Sequence, residues 1–232
     1  MPQSEVIPTL VAPRWHTAVT ILLLFGLSAL GARSHNISFV GRSHGHIPGY
    51  LGAVGMEWFL VGFVWFGLRL RGFRLLDMLG DRKTSVLAAL RTLGIGLAFL
   101  FVSNIVLAVL ARILRASPNR HVRSILPHGG PEIAVYLLLA LTAGFCEEVV
   151  CRGYLQKQFA ALTGSATLAI VLQGVVFGAA HGYQGFKYMI LLAVFGCLFG
   201  VLAYWRRSLL PGMVAHFLQD GLVGLLAGLA TN

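Results

Sequence analysis

Charge is scarce in this chain, and acid most of all. Of 232 residues only eight are Asp or Glu, against eighteen Lys and Arg, and charged residues together make up 11%. A soluble globular domain carries about 25%. With 57% hydrophobic residues and a mean hydropathy of +0.79, a water-soluble fold is excluded in favour of a membrane-embedded one. The net charge of +10 does not indicate nucleic acid. Its Lys and Arg fall in short clusters between apolar runs, rather than along one face or stripe. Anionic lipid and membrane topology account for them better. The three cysteines, Cys146, Cys151 and Cys197, are an odd number in apolar segments, which argues against a disulfide framework. Cys146 and Cys151 flank a pair of glutamates, so a thiol nucleophile comes to mind; small buried apolar residues are the simpler reading. There is no strong case for a serine nucleophile, since Ser165 and Ser208 lie at helix edges, and no HExxH zinc motif occurs. No cleavable signal peptide is evident, so residues 17–31 are expected to be a retained first helix. There is no internal repeat and no low-complexity tract.

What is present is a series of long apolar runs. A spanning helix needs about 20 mostly apolar residues, and seven candidates appear, near 15–32, 49–69, 91–114, 132–151, 167–181, 188–205 and 209–229. The expected fold is all-α: a polytopic transmembrane bundle of about seven to eight helices. Residues 1–131 form N-terminal membrane helices and 132–232 the functional core, within one compact membrane domain. Pro48, Pro118, Pro127, Pro131 and Pro211 fall at or between helix ends, where proline is tolerated. The most basic loop, 69–91, is expected in the cytoplasm. The fourth helix is expected to run on through 154–164 into the interface, with Gln156, Lys157 and Gln158 away from its apolar face, until Gly164-Ser165 breaks it. Glycines four apart, Gly174/Gly178, Gly196/Gly200 and Gly224/Gly228, fit either close helix packing or a generally glycine-rich membrane composition.

Against that background, two adjacent acids in AGFCEEVVCRGYL stand out. Glu147 and Glu148 lie in an apolar segment, where one charge at the centre of a membrane helix costs about 2.5–3.5 kcal/mol. Arg152 follows Glu148 at i,i+4, the spacing that brings opposite charges together. Neighbouring helical residues point about 100° apart, so the two glutamates take different roles. Glu148 is expected to pair with Arg152, and Glu147 to face a cavity. Two later apolar segments carry His181 (FGAAH) and His216 with Asp220 (HFLQD). Costly polar groups on three membrane helices point to a buried reaction centre. A glutamate can take a proton from water while histidines orient it and steady an oxyanion, which is the chemistry of amide hydrolysis. Glu147, His181 and His216 could instead ligate a metal such as zinc. Three further histidines, His35, His44 and His46, are expected in a solvated loop. Glu57 lies alone in the second apolar run, with no partner assigned.

EEVVCRGYL resembles the EExxxR block of the CAAX-protease and bacteriocin-processing (CPBP, or Abi) family of intramembrane proteases. FGAAH resembles its FxxxH block, and HFLQD its HxxxN/D block. The three occur in family order over roughly 132–229. The resemblance implies that Glu147 activates water with His181, that Glu148 and Arg152 fill the other motif positions, and that His216 and Asp220 stabilise the oxyanion. Eukaryotic relatives carry Asn where this chain has Asp220, which donates only when protonated. The resemblance also implies a metal-independent glutamic protease needing no cofactor. The expected function is an intramembrane endopeptidase cutting near the C-terminus of a membrane-attached protein or peptide, in a bacterial cytoplasmic membrane. The alternatives are a non-catalytic immunity or partner-binding member of the family, and a proton-coupled transporter. The expected partners are that substrate and the lipid bilayer, and no nucleic acid.

Overall fold

The computed structural model describes residues 9–38, 45–81 and 85–230. Their main helices are α1 (Arg14–Ser38), α2 (Ile47–Arg69), α3 (Val86–Ile113), the short α4 (Arg120–Ser124), α5 (Gly130–Glu147), α6 (Gln156–Thr163), α7 (Ala166–Ala180), α8 (Phe186–Arg206) and α9 (Leu210–Ala230). Among the described residues five apolar stretches are long enough to cross a membrane: Ile47–Arg69, Val86–Ile113, Gly130–Thr163, Phe186–Arg206 and Leu210–Ala227. Arg14–Leu30 and Ala166–Ala180 are shorter apolar helices. The protein is a polytopic helical bundle, as its composition predicts.

Local chemistry sets the helix ends. Pro48 and Pro131 sit in the first turns of α2 and α5, where the missing N–H has no intrahelical acceptor to lose. Ser85 and Ser165 cap α3 and α7 by accepting from Ala88 N (3.2 Å) and Leu168 N (3.3 Å). Gly164 ends α6 in the left-handed region at φ 67°, which places the expected break at Gly164-Ser165.

Long apolar side chains point outward around the bundle, among them Leu22, Phe101, Ile113, Phe186 and Leu226. Such a shell suits hydrocarbon and not water. α3 shows this most clearly, burying only Gly96 and Ser103. At Gly96 a side chain would press on Pro211 O and Val214, so the glycine lets α3 lie directly against α9. The glycines of α7 and α8 act similarly. A methyl group on Gly196 would stand 2.8 Å from the Gly174 Cα, and one on Gly178 would collide with Met189 O. Close packing is therefore the role of Gly174, Gly178 and Gly196. Gly200 instead leaves room for the Gln173 and Gln156 amides, and Gly224 for the Tyr136 ring.

The expectation for 154–164 needs correction. Gln156 and Gln158 are buried. Gln156 Nε2 donates to Gly200 O at 3.1 Å. Gln158 Oε1 accepts from Val11 N at 2.8 Å, and its Nε2 donates to Ala12 O (3.0 Å) and Thr17 Oγ1 (2.6 Å). The Gln158 amide satisfies backbone groups of Val11 and Ala12 that lie ahead of α1, outside any helix ladder. The adjoining His16 ring is fully buried, with Nε2 donating to Phe63 O (2.9 Å) and Nδ1 accepting from the Tyr154 hydroxyl (2.7 Å). Together they fasten α1 to α2 and to the α5–α6 rod.

Candidate active site

The α5–α6 rod is interrupted by one wide turn. Residues Glu148–Leu155 are π-helical, and all eight are buried. Wide turns of this kind recur at functional sites because they re-aim side chains within a helix. Gly153 makes the burial possible: a side chain there would meet Met78 and Leu209 at 3.1 Å. The turn starts at Glu148, so the glutamate pair straddles the change of helix type.

Glu148 lies at the middle of a buried chain of charge. Its Oε1 accepts from Arg152 Nη1 at 2.8 Å and from His216 Nδ1 at 3.1 Å. The side chains of Glu148 and Arg152 are 1% and 0% exposed. The arginine lies over the Phe177 ring at 4.6 Å and the Phe199 ring at 5.1 Å, and a guanidinium is attracted to such faces. Phe195 and Phe199 also pack around the His216 ring, at 5.6 and 5.5 Å. Gly212 is why Glu148 fits: a Cβ there would stand 3.0 Å from Glu148 Oε2.

Glu147 is placed differently. It is partly open to the surroundings, and its Oε2 has no hydrogen-bond partner. His216 Nε2 lies 3.7 Å from that oxygen, and Asp220 Oδ2 stands 3.6 Å from the same nitrogen. With Nδ1 donating to Glu148, His216 presents Nε2 to Glu147 and Asp220. Thus α9 holds His216 between the two glutamates of α5, with Asp220 one turn further along.

His181 is the C-cap residue of α7. Its Nδ1 donates to Phe177 O at 2.8 Å, which leaves Nε2 for an outside ligand. Its ring lies beside Tyr183 at 5.8 Å between centroids. Tyr183 feels the charges of Glu147, Glu57 and Asp220, and burial pushes its phenol up to about 12. It therefore remains a neutral hydrogen-bond donor at ordinary pH. Tyr183 also lines an open groove of about 370 Å³ with Phe25, Ser28, Ala29, Ala179 and Gly182.

The structure brings Glu147, Glu148, Arg152, His216 and Asp220 into one contact chain, with His181 at the edge through Phe177. Cys146 and Cys151 are free and buried, which fits the packing reading. No group of three or more His, Cys, Asp and Glu is arranged to hold a metal among the described residues, and His216 Nδ1 is already engaged by Glu148. Of the loop histidines, His44 and the side chain of His35 lie outside the described residues. His46 is not simply solvated. Its backbone N and Nδ1 both bond Glu132, at 2.9 and 3.0 Å, tying the start of α2 to that of α5.

Sequence reasoning missed Phe195, Phe199 and the place of Glu57. The carboxyl of Glu57 feels Glu147, His216 and Asp220. It lies seven residues after Tyr50 and four before Val61, both buried in α2, so it belongs to the packed stripe of that helix.

Residues 128–222 match the family model for the type II CAAX prenyl endopeptidase, Rce1-like. Over that span the chain is Rce1-like. The matched segment holds the wide turn, both glutamates, Arg152, both site histidines and Asp220. The likeness is thus to a family of CAAX-type prenyl endopeptidases, and it covers the segment that carries the candidate site. No curated protein and no solved structure matched the chain.

Proposed function

We propose that this Rce1-like protein is an intramembrane endopeptidase that uses water activated by Glu147 to hydrolyse a peptide bond near the C-terminus of a membrane-attached protein or peptide. The observation that carries the reading is the unequal treatment of two adjacent glutamates. Glu148 is held by Arg152 and His216, whereas Glu147 keeps an unpartnered oxygen 3.7 Å from His216 Nε2. A carboxylate held near a histidine but left without a donor is arranged to accept a proton from a bound water.

In this reading Glu147 takes the proton as the water oxygen attacks the carbonyl carbon, then passes it to the leaving amine. His181 Nε2 orients the water or the carbonyl. His216 and Asp220 meet the negative oxygen, with Asp220 donating when protonated. Glu148 and Arg152 do not touch the substrate; Glu148 accepts from His216 Nδ1–H and fixes the ring, which leaves Nε2–H of the imidazolium to donate to the oxyanion. This chemistry calls on no metal or other cofactor. We assign the protein to a bacterial cytoplasmic membrane, where the substrate is a peptide or a C-terminal sorting tail.

The test is C-terminal peptide mapping of membrane proteins from cells expressing the wild type or Glu147→Gln at equal levels. Shortened C-termini confined to the wild type support the reading. Identical C-termini in both would overturn it.

A further inference from the structure

One acid of the membrane interior has no part in the chemistry above. Glu57, in the middle of α2, has an Oε2 atom that is sealed from solvent and without a hydrogen-bond partner. An orphaned carboxyl oxygen is among the most costly groups to retain in hydrocarbon. Its position is not accidental to the packing. Glu57 shares the inner stripe of α2 with Tyr50, Leu60, Val61 and Val64. The next residue, Trp58, stacks on Phe145 of α5 with ring centroids 5.6 Å apart. That contact sets Glu57 level with the glutamate pair, for Phe145 precedes Glu147 by two residues. The charges of Glu147, His216 and Asp220 all reach it. Glu147 Oε2 is likewise buried and unpartnered. Two helices packed face to face thus bring two orphaned carboxyl oxygens to the same level of the bundle.

We propose that Glu57 is a second water-holding residue of this site, its Oε2 and the Oε2 of Glu147 each accepting one O–H of the same hydrolytic water. A water in that place satisfies both orphaned atoms and screens their repulsion. Its lone pairs then point away from both carboxylates, toward the substrate carbonyl. On attack, the O–H facing Glu147 breaks, and its proton moves to Glu147 as the oxygen bonds to the carbonyl carbon. The O–H facing Glu57 survives into the tetrahedral adduct. Glu147 then gives its proton to the amide nitrogen as the C–N bond breaks, leaving an acid that carries the retained proton and a free amine. The chemical step rests on the peptidase reading; the shared water itself does not.

The test compares wild type, Glu57→Leu, Glu57→Gln and Glu147→Gln in detergent, using an internally quenched peptide copied from a C-terminus that the peptide mapping finds shortened by the wild type. Glu57→Leu should lower kcat on the order of 10- to 100-fold, the range spanned by a hydrogen bond to a charged group. KM should change little, and Tm should hold or rise, because a carboxyl that is costly to desolvate has gone. A purely structural glutamate would give the opposite, a lower Tm with kcat kept. Should the Leu variant not fold, Glu57→Met keeps close to the volume without an oxygen acceptor, and its kcat carries the same test. Unchanged kcat in the folded variant overturns the proposal. Infrared spectroscopy gives a readout that needs no turnover. The Glu57 carboxyl band, identified by its loss in Glu57→Gln, should shift in Glu147→Gln. No shift overturns the proposal. A shift in a protein that cleaves nothing would sink the peptidase reading and leave the Glu57–Glu147 water standing.

Discussion

Replacing Arg152 tests the buried charge chain through stability rather than activity. The guanidinium is 0% exposed, donates to Glu148 Oε1 at 2.8 Å, and lies between the Phe177 and Phe199 rings. Arg152→Ala removes the counter-charge and opens a hole between two aromatic faces. It leaves Glu148 buried, with His216 Nδ1 as its sole remaining donor. Breaking a buried pair on one side costs about 3–5 kcal/mol. The retained His216 contact draws the expectation to the lower end of that range. Glu148→Ala leaves Arg152 with a weak contact to Gly196 O at 3.5 Å, and should cost a similar amount. Removing both strands neither charge, so the double variant should be less destabilised than the sum of the singles by about 1–3 kcal/mol, as residues in direct contact behave. Cys146 and Cys151 supply the assay, because both thiols are free and buried. A thiol-reactive dye reports their exposure on heating in detergent, for wild type, both singles and the double. Additive shifts in unfolding temperature would refute the pairing argument.

Two further outcomes follow from the site. Asp220 stands 3.6 Å from His216 Nε2. If it donates to the oxyanion, Asp220→Asn should retain or exceed wild-type turnover, because an amide donates at any pH, whereas Asp220→Ala should fall. Equal large losses in both, followed across pH, would instead assign the carboxylate to orienting His216. For metal dependence, purified protein treated with chelator should keep its activity. Stoichiometric zinc whose removal abolishes cleavage, and whose return restores it, would overturn the metal-free mechanism.

Glu147, Glu148, Arg152, His181, His216 and Asp220 were legible as candidates because each is expensive in an apolar helix, and two pairs, Glu148 with Arg152 and His216 with Asp220, recur at one-turn spacing. The break at Gly164-Ser165 was legible from ordinary turn chemistry. Glu57 was not, although its cost was visible. Every other position near it in α2 is apolar, so no periodicity tells which side of that helix meets the bundle. The wide turn at Glu148–Leu155 could not be read either, since a change in backbone hydrogen-bond register leaves no mark in side-chain spacing. Gln156 and Gln158 misled for a different reason. In water polar residues mark the outer face of a helix, but in a membrane a buried amide can be the group that satisfies a neighbouring backbone. Phe195 and Phe199 look like any other apolar residue of α8, until both rings are found against His216 and Phe199 against Arg152.

The central claim is that Glu147 is the base. Its most direct test is the cleavage rate of purified protein in lipid bicelles, wild type against Glu147→Gln, on one reporter peptide copied from a C-terminus that the wild type shortens. The substitution keeps the side chain's shape and removes its ability to take a proton. The account predicts a fall of about 10²–10⁴ in kcat, the range supplied by general base catalysis, with an unchanged unfolding temperature. Near-wild-type turnover by Glu147→Gln would contradict it.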